Sequence, residues 1–252
     1  MAKPRTPVRL HLWVEGTPVA DGPSSSALTR WAGHTLASLH SLRVQPAERE
    51  MFPVTDACTA ARWPELTERA DRAHVPWAGL MHEAAGAVKT AVLLFEAGED
   101  DADEQLMTHG DIDQKNLLIG PVGPVLCDWD VATPLVPRRE LAEVALSLAG
   151  WTRFDLAREV VAAYRDTGGR DISFRPADLG RSLMIGLDWT AFNVNRALGV
   201  VDTTPAERAS RARLVPRLVR DIRRHVNVAA RVDEALNFSC GRLARLGCSV
   251  PK

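Results

Sequence analysis

Apolar residues recur at helical spacing over most of this chain, and one short region breaks into the bursts that strands use. Leu28, Trp31, Leu36 and Leu39 repeat at roughly one-turn intervals between Ala27 and Leu42, behind three serines at 24 to 26 that suit an N-cap. The same periodicity predicts helices over Trp63 to Ala73, Met81 to Leu94, Arg138 to Ala149, Asp155 to Tyr164, Pro176 to Leu198 and Pro205 to Leu236, with Gly168-Gly169 as a break. Val44 to Val54 reads as a variable loop, and the acidic run from Glu96 to Glu104 as a solvated one, because its carboxylates lack the spacing of a calcium loop. The exception to the helical pattern is Leu117-Leu118-Ile119 and Val125-Leu126-Cys127. Gly120-Pro121-Val122-Gly123-Pro124 between them has the punctuation of a tight connection, and the unit reads as a β-hairpin.

Chemistry flanks that hairpin. If the two runs pair, Asn116 at the start of one lies opposite Asp128 at the end of the other, with opposed Cα atoms about 5 Å apart. An amide carbonyl and a carboxylate are hard oxygen ligands suited to Mg2+, which leaves its other positions to water and phosphate. Asp111, five residues before Asn116, falls on the loop leading into the hairpin, where it can accept a proton from an attacking hydroxyl. Asp and Asn also favour loops and caps for their own sake. Their joint occurrence at this spacing makes the chemical reading the stronger one.

His109-Gly110-Asp111 followed by Asn116 and then Asp128-Trp129-Asp130 is the spacing of kinase catalytic and metal loops, and it most resembles the aminoglycoside phosphotransferase and choline kinase-like family. Leu12-Trp13-Val14-Glu15-Gly16 resembles the family's hinge strand. The stretch from Trp31 to His40, ending in Leu-His, resembles the helix after it, and Glu140-Leu141-Ala142 matches the family's acidic residue followed by Leu-Ala. The resemblance implies that Asp111 is the catalytic Asp with His109 bracing its loop, and that Asn116 and Asp128 hold Mg2+. It also implies that Trp13, Val14 and Glu15 contact the adenine of ATP with Asp130 assisting at the phosphates, and that Asp188, Trp189 and Asn193 line the acceptor pocket. For those last three, ordinary helix packing is the competing reading. Asp113 stands where protein kinases carry a phosphate-contacting Lys, which points away from a protein substrate and toward a small-molecule hydroxyl; Lys115 is the nearby positive charge.

The family also has a β-rich lobe ahead of the hinge, with a phosphate-covering Gly-rich loop and a Lys. This sequence holds no Gly-x-Gly-x-x-Gly. Its four lysines are Lys3, Lys89, Lys115 and Lys252, and Lys89 falls in an Ala-, Val- and Leu-rich segment that reads as helix. The expected fold is therefore α+β and predominantly α, the helical C-terminal lobe of a protein-kinase-like phosphotransferase with small β-hairpins. Residues 1–15 are expected as a hinge-strand remnant of the N-terminal lobe and residues 16–252 as the phosphotransferase lobe. A separate chain supplying the other lobe is one expectation, and a truncated or pseudoenzyme ligand-binding lobe without kinase activity is the alternative function.

Composition narrows the partners. A formal net charge of -1 gives no reason to expect nucleic acid, and the seven arginines between 208 and 224 are balanced in part by Glu207 and Asp221, so they read as a solvated helix face. No apolar run approaches a membrane span and no signal-peptide core follows the N-terminus, which makes cytoplasmic the expected location. The four cysteines are scattered without zinc or disulfide spacing.

Overall fold

Ser25 begins the first helix: its side chain accepts the Leu28 N–H at 3.3 Å, and α1 runs over Ser26–Ser41. The computed structural model describes residues 13–46, 52, 55–99 and 104–237. Within them follow α2 (Cys58–Ala61), α3 (Trp63–Arg72) and the long α4 (Ala78–Glu99). After the hairpin come α5 (Pro137–Leu148), α6 (Phe154–Asp166), α7 (Gly180–Ala197), α8 (Pro205–Ala229) and α9 (Val232–Leu236). These bounds agree with the periodicity to within a few residues. Two differences stand out: α7 is preceded by a 3-10 turn over Pro176–Leu179, and the last predicted helix breaks after Ala229. The acidic run starts inside α4, and its central residues, 100–103, lie outside the described residues, as does most of the Val44 to Val54 loop.

Helix α1 packs on α6 so closely that a Cβ at Gly33 would meet the Val160 carbonyl oxygen at 2.3 Å. Only glycine fits there. On the other side α4 lies against α7, α8 and α3. Leu36, Leu141, Leu146, Leu148, Leu179 and Leu187 fill the space between, each essentially without solvent contact. Truncating one such leucine to alanine typically costs about 2–5 kcal/mol, so this helical body is a rigid base for whatever it carries.

It carries two small sheets. In one, β1 (Thr17–Pro18), β3 (Leu117–Gly120) and β4 (Gly123–Leu126) are ordered β1-β3-β4, all antiparallel. In the other, which the sequence did not announce, β2 (Leu106–Thr108) pairs with β5 (Thr133–Leu135), Thr108 facing Thr133. The expected hinge strand over 13 to 15 is displaced: the strand is at Thr17–Pro18, Trp13 is 90% exposed, and Leu12 lies outside the described residues. Among the described residues no helix is long and apolar enough to cross a membrane.

Candidate active site

Strand β2 delivers His109 and Gly110 into the body of the protein, and from there the chain must turn outward. Gly110 makes the turn at φ +79°, and a Cβ on it would meet the Thr133 methyl at 2.7 Å. Asp113 then starts a 3-10 turn over Gln114–Asn116, its carboxylate accepting the Lys115 N–H at 2.8 Å. The turn aims Asn116 back at Asp111: the Asn116 amide nitrogen donates to the Asp111 carbonyl at 2.8 Å and to its carboxylate at 3.0 Å. Asp111 and Asn116, predicted as base and ligand, are thus directly bonded.

The hairpin register differs from the expected one. Leu117 faces Leu126 and Gly120 faces Gly123, so the turn is only Pro121-Val122, and the Cys127 N–H donates to the Asn116 carbonyl at 2.9 Å. Asn116 therefore opposes Cys127, not Asp128. Asp128 stands one residue further on, in the left-handed region at φ 60°, ψ 56°. It is exposed there, and its carboxylate has no hydrogen-bond partner among the described residues. The Asn116 side-chain amide oxygen, Oδ1, is likewise without one. Among the described residues no cluster of three or more His, Cys, Asp and Glu is arranged to hold a metal. A carboxylate and an amide oxygen are both hard donors, the kind that could hold a hard cation sharing its remaining positions with other oxygens.

His109 joins the two segments. It has no solvent contact; Nε2 donates to the Cys127 carbonyl at 2.7 Å, Nδ1 accepts the Asp111 N–H at 3.3 Å, and the ring packs edge-on against Trp129 with centroids 4.8 Å apart. With both nitrogens engaged, its position is that of a brace.

Beneath Gly110 lies a buried polar chain. Glu140, 1% exposed, accepts the Gly110 N–H at 2.8 Å, the Thr108 hydroxyl, and His40 Nε2–H at 2.8 Å; His40 Nδ1 is in turn hydrogen-bonded with the Tyr164 hydroxyl at 3.0 Å. Burial alone would raise the Glu140 pKa, but the hydrogen bonds and charge of His40, with Thr108 and Gly110, outweigh it and hold the carboxyl below its ordinary value. Thr108 and Tyr164 were missed by sequence reasoning. The available signal was that Tyr164 is the chain's single tyrosine, placed on an apolar helix face.

One turn along α5, Glu143 meets the opposite circumstances. Desolvation pushes its pKa up to about 7; Arg181, 3.6 Å away, opposes the shift, while Asp111 and Glu140 add to it. Lys115 points at the base: Nζ is 3.0 Å from Asp111 Oδ2 and 3.8 Å from Asp113. Burial would lower the Lys115 pKa, but the Asp113 and Asp111 charges prevail and raise it.

The remaining predicted residues are more scattered. Asp130 is exposed in the 3-10 turn Trp129–Val131. On α7, Asp188 and Trp189 are exposed, Trp189 stacking on Phe192 with Arg196 over the Phe192 ring. Asn193 is wholly buried, its amide committed to the Trp189 carbonyl at 2.7 Å and to Arg211 at 3.3 Å. It supports the helix rather than facing an acceptor.

Solved structures share this fold. Spectinomycin phosphotransferase APH(9)-Ia, in complex with ADP and spectinomycin, superposes with a TM-score of 0.61 at 13% identity, over 89% of this chain and 70% of that one. An aminoglycoside phosphotransferase from Alicyclobacillus acidocaldarius gives 0.56 at 16% identity, over 89% and 71%. The fold is that of the kinase-like phosphotransferases. No curated protein matches the chain. The APH family model, described as the phosphotransferase enzyme family, matches residues 3–175, and the chain belongs to that family.

Proposed function

We propose that the protein transfers the γ-phosphoryl group of ATP to a hydroxyl of a small molecule. The observation that carries this reading is the loop and hairpin end that bear Asp111, Asn116 and Asp128, where one carboxylate is oriented by an amide, and the Asn116 Oδ1 and the Asp128 carboxylate have no partner among the described residues. Asp111 orients the acceptor hydroxyl and takes its proton as the oxygen attacks phosphorus. Asn116 and Asp128 would hold Mg2+, which when bound neutralises charge on the nucleotide phosphates. His109 and Glu140 keep Asp111 in place, and Lys115 supplies a positive charge beside the transferred group. Backbone near Trp13 to Glu15 meets the adenine, with Asp130 near the phosphates and Asp188 and Trp189 toward the acceptor.

Nucleotide use is supported by relatives solved with ADP and with AMP bound. Family membership supports phosphoryl transfer as the reaction class. The acceptors seen with relatives, such as spectinomycin, are the first to try. The test is ADP release by the full chain with Mg-ATP and a panel of amino sugars and amino alcohols, alongside Asp111→Ala. Acceptor-dependent ADP release that vanishes in the variant supports the reading. Mg-ATP binding without transfer to any acceptor would instead favour a ligand-binding lobe, and no nucleotide binding would favour a lobe completed by a separate chain.

A further inference from the structure

A second recess opens where the C-terminal end of α1, the start of α5 and the loop after α6 meet. Its volume is about 550 Å3, inside the range of about 300–1,000 Å3 common to small-molecule sites. Its lining shares no residue with the Asp111, Asn116 and Asp128 mouth. Arginines reach it from three separate segments: Arg43 just after α1, Arg138 in the first turn of α5, and Arg170 beyond α6.

Two carboxylates also line the recess, Glu104 and Asp171. Glu104 is taken by Arg43 and by Gln45 at 2.9 Å. Asp171 pairs with Arg165 at 2.9 Å and its side chain is 91% exposed, so it is turned largely to solvent. Arg138 bonds Asp178 through Nε at 2.8 Å. Arg170 has no ion-pair partner among the described residues. Arg43 and Arg138 are thus each engaged by a carboxylate while Arg170 is not, and the remainder of the wall includes the apolar Leu106, Val136 and Ile172.

We propose that this recess binds a small phosphate monoester, with the phosphate at Arg170 on the side bordered by Arg43 and the organic body against Leu106, Val136 and Ile172. Planar guanidinium forks arriving from different directions match a tetrahedral oxyanion, whereas a carboxylate is satisfied by one fork in one plane. The half-apolar wall accounts for an ester in place of inorganic phosphate. The recess is also lined by His40 and Tyr164 of the buried chain behind Gly110.

Calorimetric titration of the full chain with phenyl phosphate, inorganic phosphate and phenol tests it. Phenyl phosphate should bind saturably and more tightly than inorganic phosphate, with no heat from phenol. Arg170→Ala, at an exposed loop position, should weaken phenyl phosphate by about tenfold or more, while Asp128→Ala leaves it unchanged. Circular dichroism of each variant checks that the fold is kept. Absence of saturable binding, equal affinity in Arg170→Ala, or loss of binding in Asp128→Ala would overturn the assignment, the last by placing the phosphate in the Asp111 mouth.

Discussion

The two sides of the loop from Thr108 to Asn116 are built on opposite rules. On the inner side every polar group is answered: Glu140 accepts three donors, and both His109 nitrogens are bonded. On the outer side the Asn116 side-chain Oδ1 and the Asp128 carboxylate have no hydrogen-bond partner among the described residues. A buried charge is tolerable only when fully bonded, whereas a binding group must be oriented yet unspent. Rigidity is placed behind Asp111, and unspent oxygens are placed on the side that faces solvent. Glu140 and Glu143 repeat the contrast within one helical turn, the first held charged by its donors and the second driven toward neutrality.

The contrast can be broken from either side. Asp111→Ala on the outer face should cut turnover by about 10²–10⁴-fold or more and leave the thermal midpoint nearly unchanged; a large fall in midpoint would show that Asp111 belongs to the structural side. Glu140→Ala on the inner face should do the reverse, costing about 3–5 kcal/mol in urea denaturation, because His40, Thr108 and Gly110 lose their common acceptor. A cost below about 1 kcal/mol would mean the network relaxes onto water.

Glu143 gives a pH test with a definite sign. An acid whose folded pKa is raised binds its proton more tightly in the native state, so stability falls as pH rises between the unfolded and folded values. The Glu143 carboxyl lies at about 7 in the fold, against about 4.3 unfolded. Glu143→Gln should therefore match the parent near the lower value and exceed it above the upper one, by on the order of 1–3 kcal/mol. Glu140, shifted downward, contributes stability that is present above the ordinary carboxyl range and lost as pH falls through its lowered value. Stability curves for the two variants should diverge from the parent in opposite pH directions. Lys115→Met should have the smallest effect on folding, about 0–1 kcal/mol, since its side chain is 60% exposed. A larger loss would move Lys115 to the inner, structural side.

Much of this architecture was legible because a helix advertises its buried face every three or four residues. Ser25 as cap and the apolar repeat through Leu36 and Leu39 placed α1 to within one residue. The hairpin was equally plain from its Gly and Pro punctuation, but its register was not. Pro124 reads as a turn residue, yet it sits inside β4, an edge strand, where a missing N–H need break no ladder bond. That one residue moved Asn116 from Asp128 to Cys127. The β2–β5 pair escaped notice because each strand is three residues long and one contains Pro134. Motif spacing singled out Asp111, Asn116, Asp128 and Glu140, all near one another in sequence. It could not reveal that Glu140 is held by Thr108 and His40, 32 and 100 residues away, since such partners are set by packing alone.

The backbone of Asp128 has a consequence for how this protein can change. A left-handed conformation is inexpensive for glycine and costs an aspartate something of order 1 kcal/mol or more. Replacing Asp128 by glycine would relax the chain at φ 60° and remove the carboxylate in the same step. Sturdiness and the proposed cation-holding role thus pull this position in contrary directions, and a lineage released from the need to handle phosphate would be expected to drift toward glycine here first.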